Sequence, residues 1–198
     1  MPTRCGVRAG GAIAVVWGGL SNAKAEANGA IVKKGGGTSW NAGAHSRRLA
    51  SGDVTLQFRC SVKQRTMIGL AIGNSGVHYN DIDCAMYCDA GTLRVQELGK
   101  HEWNGTAYKE SDLLAVKRAG TTVTFLQNGK ALRNCSRKLS GPVLADLSMY
   151  VDGRGGVLEA SFVQRARLWE LRLTQNNHHG YGHTTHRERY MTVAVVML

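Results

Sequence analysis

Proline and long apolar runs are scarce in this chain of 198 residues. It has only 2 prolines and no Pro- or Ser-rich linker, so we expect one domain of a size that can bury a proper core. No apolar stretch approaches the roughly 20 residues that a membrane-spanning helix needs, so we predict no membrane span. The sequence also shows no internal repeat, which argues against a repeat architecture.

Cysteine lacks the spacing of a disulfide framework or of a zinc site. The five residues, an odd number, are at positions 5, 60, 84, 88 and 135. Cys84 and Cys88 lie on one face of a single predicted strand, which separates their Cα atoms by about 13 Å, too far for a bond between them. We therefore predict buried free thiols. This prediction favours an intracellular protein over a secreted one.

The N-terminus permits two interpretations. Arg4 and Arg8 precede a short apolar run at 12–17, and Ala23-Lys-Ala25 has the form of a cleavage site, so a secretory signal can be drawn there. Because the run is thin and interrupted by glycine, we favour an N-terminal extension over residues 1–11 and a folded domain from residue 12. In a secreted chain, the sequon Asn104-Gly-Thr106 would be glycosylated.

Acidic side chains are outnumbered by basic ones. The chain has 25 Lys and Arg against 14 Asp and Glu, a formal net charge of +11, which favours polyanions or acidic protein surfaces as partners. The basic residues are spread along the sequence, without an RNA-binding signature or interleaved aromatics. We therefore predict a protein partner with an acidic surface and do not expect nucleic acid as a partner.

The sequence is rich in strands that alternate apolar and polar side chains. In the run 54–60 the residues Val54, Leu56, Phe58 and Cys60 share one face, which predicts a strand with that face buried. The same period recurs at Leu93 and Val95, at Val123 and Phe125, and at Leu147, Met149 and Val151. Turn signals such as Asn128-Gly129 separate these runs. The predicted fold is an all-β, two-sheet antiparallel sandwich.

A series of short motifs carries a resemblance to a known superfamily. The motifs are Trp17, Trp40-Asn-Ala-Gly-Ala-His-Ser46, Ser51-Gly-Asp53, Met67-Ile-Gly-Leu70, Asp81-Ile-Asp-Cys-Ala-Met-Tyr87, Gly91-Thr-Leu-Arg-Val95, Ser111-Asp-Leu-Leu-Ala-Val116, Asn128-Gly129, Pro142-Val-Leu-Ala-Asp146 and Ser148-Met-Tyr150. In this order they resemble the concanavalin A-like lectin/glucanase superfamily, and within it the non-catalytic jelly-roll modules of larger surface, phage-tail and multidomain proteins. The resemblance spans residues 13 to 165 and implies a jelly-roll sandwich. It implies little about function, because this superfamily contains lectins, glycosidases and architectural modules.

Catalysis is not expected. The glucanase branch carries a Glu-x-Asp-x-Glu type cluster, since retaining hydrolysis needs two carboxylates about 5 Å apart. The nearest candidate, Asp81-Ile-Asp83, places two Asp on one predicted strand face and lacks a third acid. We expect these side chains to cap a loop or to bind backbone amides. With no Gly-x-Ser-x-Gly elbow present either, we predict a protein that is not an enzyme.

Sugar binding is the function that the resemblance most readily implies, because aromatic faces stack on sugar rings while Asp and Asn bind hydroxyls. The candidate carbohydrate-binding residues are Trp40, Asn41, Tyr79, Asp81, Asp83 and Trp103. We expect Trp17 and Trp169 to fill the core or the seam between the sheets, and Trp40 can do the same. The segment 78–83 has residue types that suit calcium but no full ligand set, so we predict no cofactor and no metal site.

The C-terminal 24 residues, 175–198, form a separate predicted segment after a domain at 12–174. The tail is rich in histidine and ends in an apolar run with strand propensity, which can dock on a sheet edge or on another protein. We favour a non-catalytic binding or scaffolding module that contacts a protein partner or larger assembly through its loops, basic surface and tail. The alternative is a lectin-like module for a glycan.

Overall fold

Two antiparallel sheets make up most of the computed structural model, which describes residues 11–35, 37–151, 155–164, 169–171 and 191–193. The eight-stranded sheet contains, in spatial order, β13 (Lys130–Lys138), β12 (Thr122–Gln127), β11 (Leu114–Ala119), β6 (Val54–Cys60), β15 (Val157–Gln164), β4 (Ile31–Lys33) and β3 (Ala23–Ala25), with β1 (Ala12–Ala14) paired to β15. The seven-stranded sheet contains β10 (Lys100–Ala107), β9 (Thr92–Glu97), β8 (Cys84–Asp89), β7 (Arg65–Ala71), β14 (Leu144–Met149), β5 (Ala42–Ser46) and β2 (Trp17–Ser21).

The chain forms two compact units, residues 11–164 and a unit of residues 1–10 with 165–198. In the second unit, β16 (Trp169–Leu171) pairs antiparallel with β17 (Met191–Val193). The predicted role of the tail and the side chain of Trp169 lie outside the described residues. Among the residues that are described, no helix is long and apolar enough to cross a membrane.

The core lies between the two sheets, and β6 shows how the sequence builds it. Val54, Leu56, Phe58 and Cys60 are buried, whereas the residues between them are partly exposed, as the alternation predicts. The facing sheet contributes inward side chains from β7, β8, β9, β14 and β5 to the same apolar cluster. Trp17 packs against this cluster, as expected. The prediction of an all-β sandwich is confirmed.

The turns match the sequence signals, with one strand end predicted wrongly. Asn128 and Gly129 have positive φ values of 52° and 78°, as a tight hairpin between β12 and β13 requires. Val151 was predicted to extend the inward face of the strand with Leu147 and Met149, but β14 ends at Met149. The buried side chain of Gln64 binds both the N–H and the carbonyl of Val151, so a side chain replaces a strand partner there.

The prediction of free thiols is wrong for two of the cysteines. Cys84 in β8 and Cys135 in β13 form a disulfide with a Cα–Cα distance of 6.2 Å, which joins one sheet to the other. Their separation of 51 residues gives no local signal, because only tertiary folding brings the strands together. Cys60 and Cys88 are free and buried as predicted. The intracellular expectation rested on free thiols and loses that support.

Replacing both Cys84 and Cys135 with alanine is expected to lower the free energy of unfolding by about 2 to 4 kcal/mol, because the disulfide closes a long loop in the unfolded chain. Urea unfolding followed by circular dichroism measures the change. Dithiothreitol should lower the stability of the unmodified protein to that of the variant and leave the variant itself unchanged. Equal stability of the two proteins without reductant would show that the bond does not form.

Candidate functional site

A second apolar cluster lies on the outer face of the seven-stranded sheet, away from the core between the sheets. It consists of buried Met67, Ile82 and Ala85 with half-buried Trp40, Tyr79 and Tyr87 packed against them. Met67 in β7 is directly opposite Tyr87 in β8, whereas their neighbours Ile68 and Met86 point into the core. A strand buries one face in the core, so a cluster on the other face needs a separate explanation.

Trp40 is at the centre of a group of aromatic rings that we call the aromatic patch, formed by Trp40, His78, Tyr79, Tyr87 and Tyr150. The centroid of the Trp40 ring lies 4.9 Å from that of Tyr79, 5.7 Å from that of Tyr87 and 5.2 Å from that of Tyr150. The His78 ring lies 4.3 Å from the Tyr79 ring. Such pairs stabilise each other by about 0.5–1.5 kcal/mol beyond the area they bury.

The buried ammonium group of Lys33 positions two of these rings. Lys33 is 1% exposed, and its Nζ donates to the carbonyl of Ser39 at 2.6 Å, to Oδ1 of Asn41 at 2.7 Å and to the carbonyl of Tyr150 at 3.0 Å. Two of these acceptors belong to Ser39 and Asn41, the residues on either side of Trp40. The third is the carbonyl of Tyr150 itself. The ammonium group therefore fixes the backbone that carries both rings.

A charged cluster borders the aromatic patch. Asp89 lies 3.1 Å from Nε of Arg65 and 3.1 Å from Nε of Arg94, and the guanidinium of Arg65 lies 5.7 Å from the Tyr150 ring centroid. Burial, together with the charge of Asp89 and a hydrogen bond to it, raises the pKa of Tyr87 to about 12. Tyr87 therefore stays a neutral donor to Asp89 at physiological pH.

The segment at 72–77, which we call the clasp loop, connects β7 to a 3-10 helix at Tyr79–Asp81. It is bonded to its neighbours at several points. The bonds are Ile72 N–H to Asp83 Oδ2 at 2.9 Å, Asn74 Nδ2 to Asp146 Oδ1 at 3.1 Å, Ser75 N–H to Asp81 Oδ2 at 2.7 Å and Ser148 Oγ to the Val77 carbonyl at 2.7 Å. Three of the four use a carboxylate, so acidic side chains hold this loop.

Asp146 is the most deeply buried of these acids, with 2% of its surface exposed. Its Oδ1 accepts from Asn74 and from the N–H of Leu147. Its Oδ2 is buried without a hydrogen-bond partner among the described residues, and the same is true of Oδ1 of Asp81. Burial, and after it the charge of Asp81, raises the pKa of Asp146 to about 7.

Comparison with solved structures agrees with this architecture. The SPRY domain of human HERC1 superposes with a TM-score of 0.51 at 14% identity, covering 72% of this chain and 91% of that domain. The fold is a concanavalin A-like jelly roll. The carbohydrate recognition domain of Emp47p is also similar, with a TM-score of 0.49 at 13% identity, covering 74% of this chain and 87% of that one. The carbohydrate-binding module CBM66 from Bacillus subtilis has a TM-score of 0.47 at 8% identity, covering 76% of this chain and 92% of that one. At these identities the likeness shows the fold alone. No protein-family model and no curated protein matches the sequence.

The jelly roll brings together only some of the six predicted carbohydrate-binding residues. Trp40 contacts Tyr79, and Asp81 follows Tyr79 by two residues in the 3-10 helix. Asn41 receives the hydrogen bond from Lys33, and both oxygens of Asp83 are used, Oδ2 by Ile72 and Oδ1 by Arg137. Trp103 lies apart from this group, packed against the core between the sheets.

The expectation that Asp81 and Asp83 share one strand face is wrong. Asp81 ends the 3-10 helix, and Asp83 precedes β8, which begins at Cys84. Both bind backbone N–H groups, of Ser75 and Ile72 respectively, as the capping interpretation expects. No group of three or more His, Cys, Asp or Glu side chains among the described residues is arranged to hold a metal ion.

Sequence reasoning missed Lys33, Tyr87, Tyr150 and Asp146. Tyr87 and Tyr150 belong to motifs that were assigned to the fold, and their signal was an aromatic side chain at an outward position. Asp146 had a similar signal, an acid in a strand whose other residues are apolar apart from Ser148. Lys33 had none, since a lysine in a short strand is ordinarily solvated.

Replacing Lys33 with methionine is expected to lower the free energy of unfolding by about 3 kcal/mol, because methionine cannot make the three hydrogen bonds that the ammonium group donates. Near-ultraviolet circular dichroism should also weaken, since the Trp40 and Tyr150 rings lose their fixed backbone. Lys34→Met is the matched control, because Lys34 is exposed and should change stability by less than about 0.5 kcal/mol. Equal effects of the two substitutions would contradict the role of the ammonium group.

Proposed function

We propose that this chain is a non-catalytic binding module that recognises an acidic segment of a partner protein through the aromatic patch and Arg65. One observation carries the proposal: four half-buried aromatic rings, Trp40, Tyr79, Tyr87 and Tyr150, form a cluster on the outer face of a sheet whose other face already fills the core. A fold that needs no second apolar cluster for its core has that surface free for recognition.

The chemistry of the patch suits a peptide. Tyr and Trp supply a large contact area at a small cost in side-chain entropy, and together with Arg they dominate the binding energy of protein interfaces. Arg65 stands beside Tyr150 with 49% of its side chain exposed, so its guanidinium is accessible to a ligand.

Charge determines the kind of segment. Arg65 and Arg94 together carry two positive charges against the single negative charge of Asp89, so this border of the patch is positive. The whole chain has a formal net charge of +11. Asp or Glu side chains in the partner are therefore favoured, both during approach and in contact with Arg65.

We propose a non-catalytic module although Asp146 and Asp81 have properties that a hydrolase also uses. A buried acid with a raised pKa beside a second carboxylate is one half of glycosidase chemistry. Asp146 is only 2% exposed, and Asn74 from the clasp loop binds its Oδ1. A substrate that cannot reach the acid cannot receive its proton.

The test is binding of fluorescent synthetic peptides that combine Asp or Glu with apolar residues, measured by anisotropy at physiological salt. We expect Tyr79→Ala and Arg65→Gln each to weaken binding of the best peptide by about tenfold, as interface aromatics and arginines do. Two controls lie away from the patch: Leu49→Ala removes an exposed apolar side chain, and Lys117→Gln removes an exposed charge on β11. Neither should change the affinity by more than about twofold.

An equal loss of affinity in Arg65→Gln and Lys117→Gln would contradict recognition by the patch, because it would leave only the general charge of the protein. An unchanged affinity in Tyr79→Ala would likewise contradict recognition by the aromatic rings. Thermal unfolding of each variant shows whether a loss reflects binding or folding.

A carbohydrate-binding function is the second candidate, favoured by the contact of Trp40 with Tyr79. In this alternative, Trp40, Asn41, Tyr79, Asp81, Asp83 and Trp103 are the proposed contacts. A glycan array probed with and without calcium tests it. Saturable, salt-resistant binding to a neutral sugar that Tyr79→Ala abolishes would support the lectin-like function, and binding only to polyanions that fades with salt would contradict it.

A further inference from the structure

The clasp loop is held on the outer face of the seven-stranded sheet by acidic side chains from three places in the chain. Asp146 in β14 binds Asn74, Asp81 in the 3-10 helix binds Ser75, and Asp83 binds Ile72. Asp83 also pairs with Arg137, whose Nη2 lies 2.8 Å from its Oδ1, so its charge is compensated. Neither Asp146 nor Asp81 has an ion pair among those recorded for the described residues.

We propose that a proton on Asp146 keeps the clasp loop closed on the sheet, and that loss of this proton loosens the loop. The proposal concerns the loop in the free protein and does not depend on what the aromatic patch binds.

Oδ2 of Asp146 and Oδ1 of Asp81 are both buried without a donor among the described residues. When both groups are ionised, the protein holds two like charges close together and leaves an uncompensated oxygen on each. Protonating Asp146 removes one charge and its repulsion, and it leaves Oδ1 free to accept from Asn74. Opening of the loop instead admits water to both oxygens.

The direction of the pH dependence follows from the raised pKa of Asp146, which is about 7 against an ordinary value of 3.8. Between these values the folded protein holds a proton that the unfolded or locally opened chain releases. The stabilising contribution is therefore complete below about pH 4 and is lost as the pH rises through 7. Closure of the loop should weaken toward alkaline pH and change little above about pH 8.

Other groups near Asp146 need separate treatment in the experiment. On β5 the cross-strand neighbour is His45, on β7 it is Gly69, which has no side chain, and the clasp loop contributes the neutral amide of Asn74. Asp81 is the acidic neighbour from the 3-10 helix. His45 is the other titratable side chain named on these neighbouring strands, so a variant of it serves as a control.

The experiment is hydrogen exchange of the Ile72 and Ser75 amides in the free protein between about pH 5 and about pH 9, with protection corrected for the intrinsic rate. In the unmodified protein, protection should fall by about a hundredfold across this range, because about two of the pKa units that separate the closed from the opened state lie above pH 5. Asp146→Asn is uncharged at every pH and should give a flat profile. Asp81→Asn removes the repulsion, so the midpoint should move to lower pH. His45→Gln should retain the unmodified profile.

Three results would overturn the proposal. A fall in protection that persists in Asp146→Asn would assign the titration to another group, and a flat profile in His45→Gln would assign it to the histidine. Protection restored at alkaline pH by millimolar calcium or potassium chloride would mean that the carboxylates hold a cation. Because no peptide or glycan is present, these outcomes are independent of the proposed function.

Discussion

The alternation of side chains along the strands is the constraint on which the rest of the structure depends. Each strand has two faces, and the inward residues of both sheets fill one apolar core. Every outward side chain of the seven-stranded sheet is thereby excluded from that core. Met67, Tyr87 and Asp146 occupy such outward positions. Their burial therefore requires cover from elsewhere, and the clasp loop and the segment around Trp40 provide it.

The cover packs on the second apolar cluster and is positioned there by polar groups. Lys33 binds the segment that carries Trp40, and the acidic side chains bind the clasp loop. A buried polar group is destabilising unless it is paired, so such interactions determine one arrangement of the loops more strictly than apolar contacts do. The geometry of the aromatic patch therefore depends on a few hydrogen bonds from one ammonium group.

The sequence predicted what is periodic and failed where contacts are distant in the chain. The inward face of β6 and the Asn128-Gly129 turn were predicted correctly because both signals are local. The disulfide between Cys84 and Cys135 spans 51 residues, and no spacing rule indicates it. Of the predicted carbohydrate-binding residues, the structure brings Trp40 and Tyr79 together, whereas Trp103 packs against the core between the sheets. Residue type alone does not tell a stacking ring from a packing ring.

Under both proposals, the patch and the clasp loop are linked through one short element. The 3-10 helix Tyr79–Asp81 carries a ring of the patch at its first residue and the carboxylate that faces Asp146 at its last. If a ligand that packs on Tyr79 favours the position of this helix with the loop closed, ligand binding and loop closure are coupled. Since closure favours the proton on Asp146, thermodynamic reciprocity requires that the ligand raise the proton affinity of Asp146 and that acidification strengthen ligand binding by the same factor.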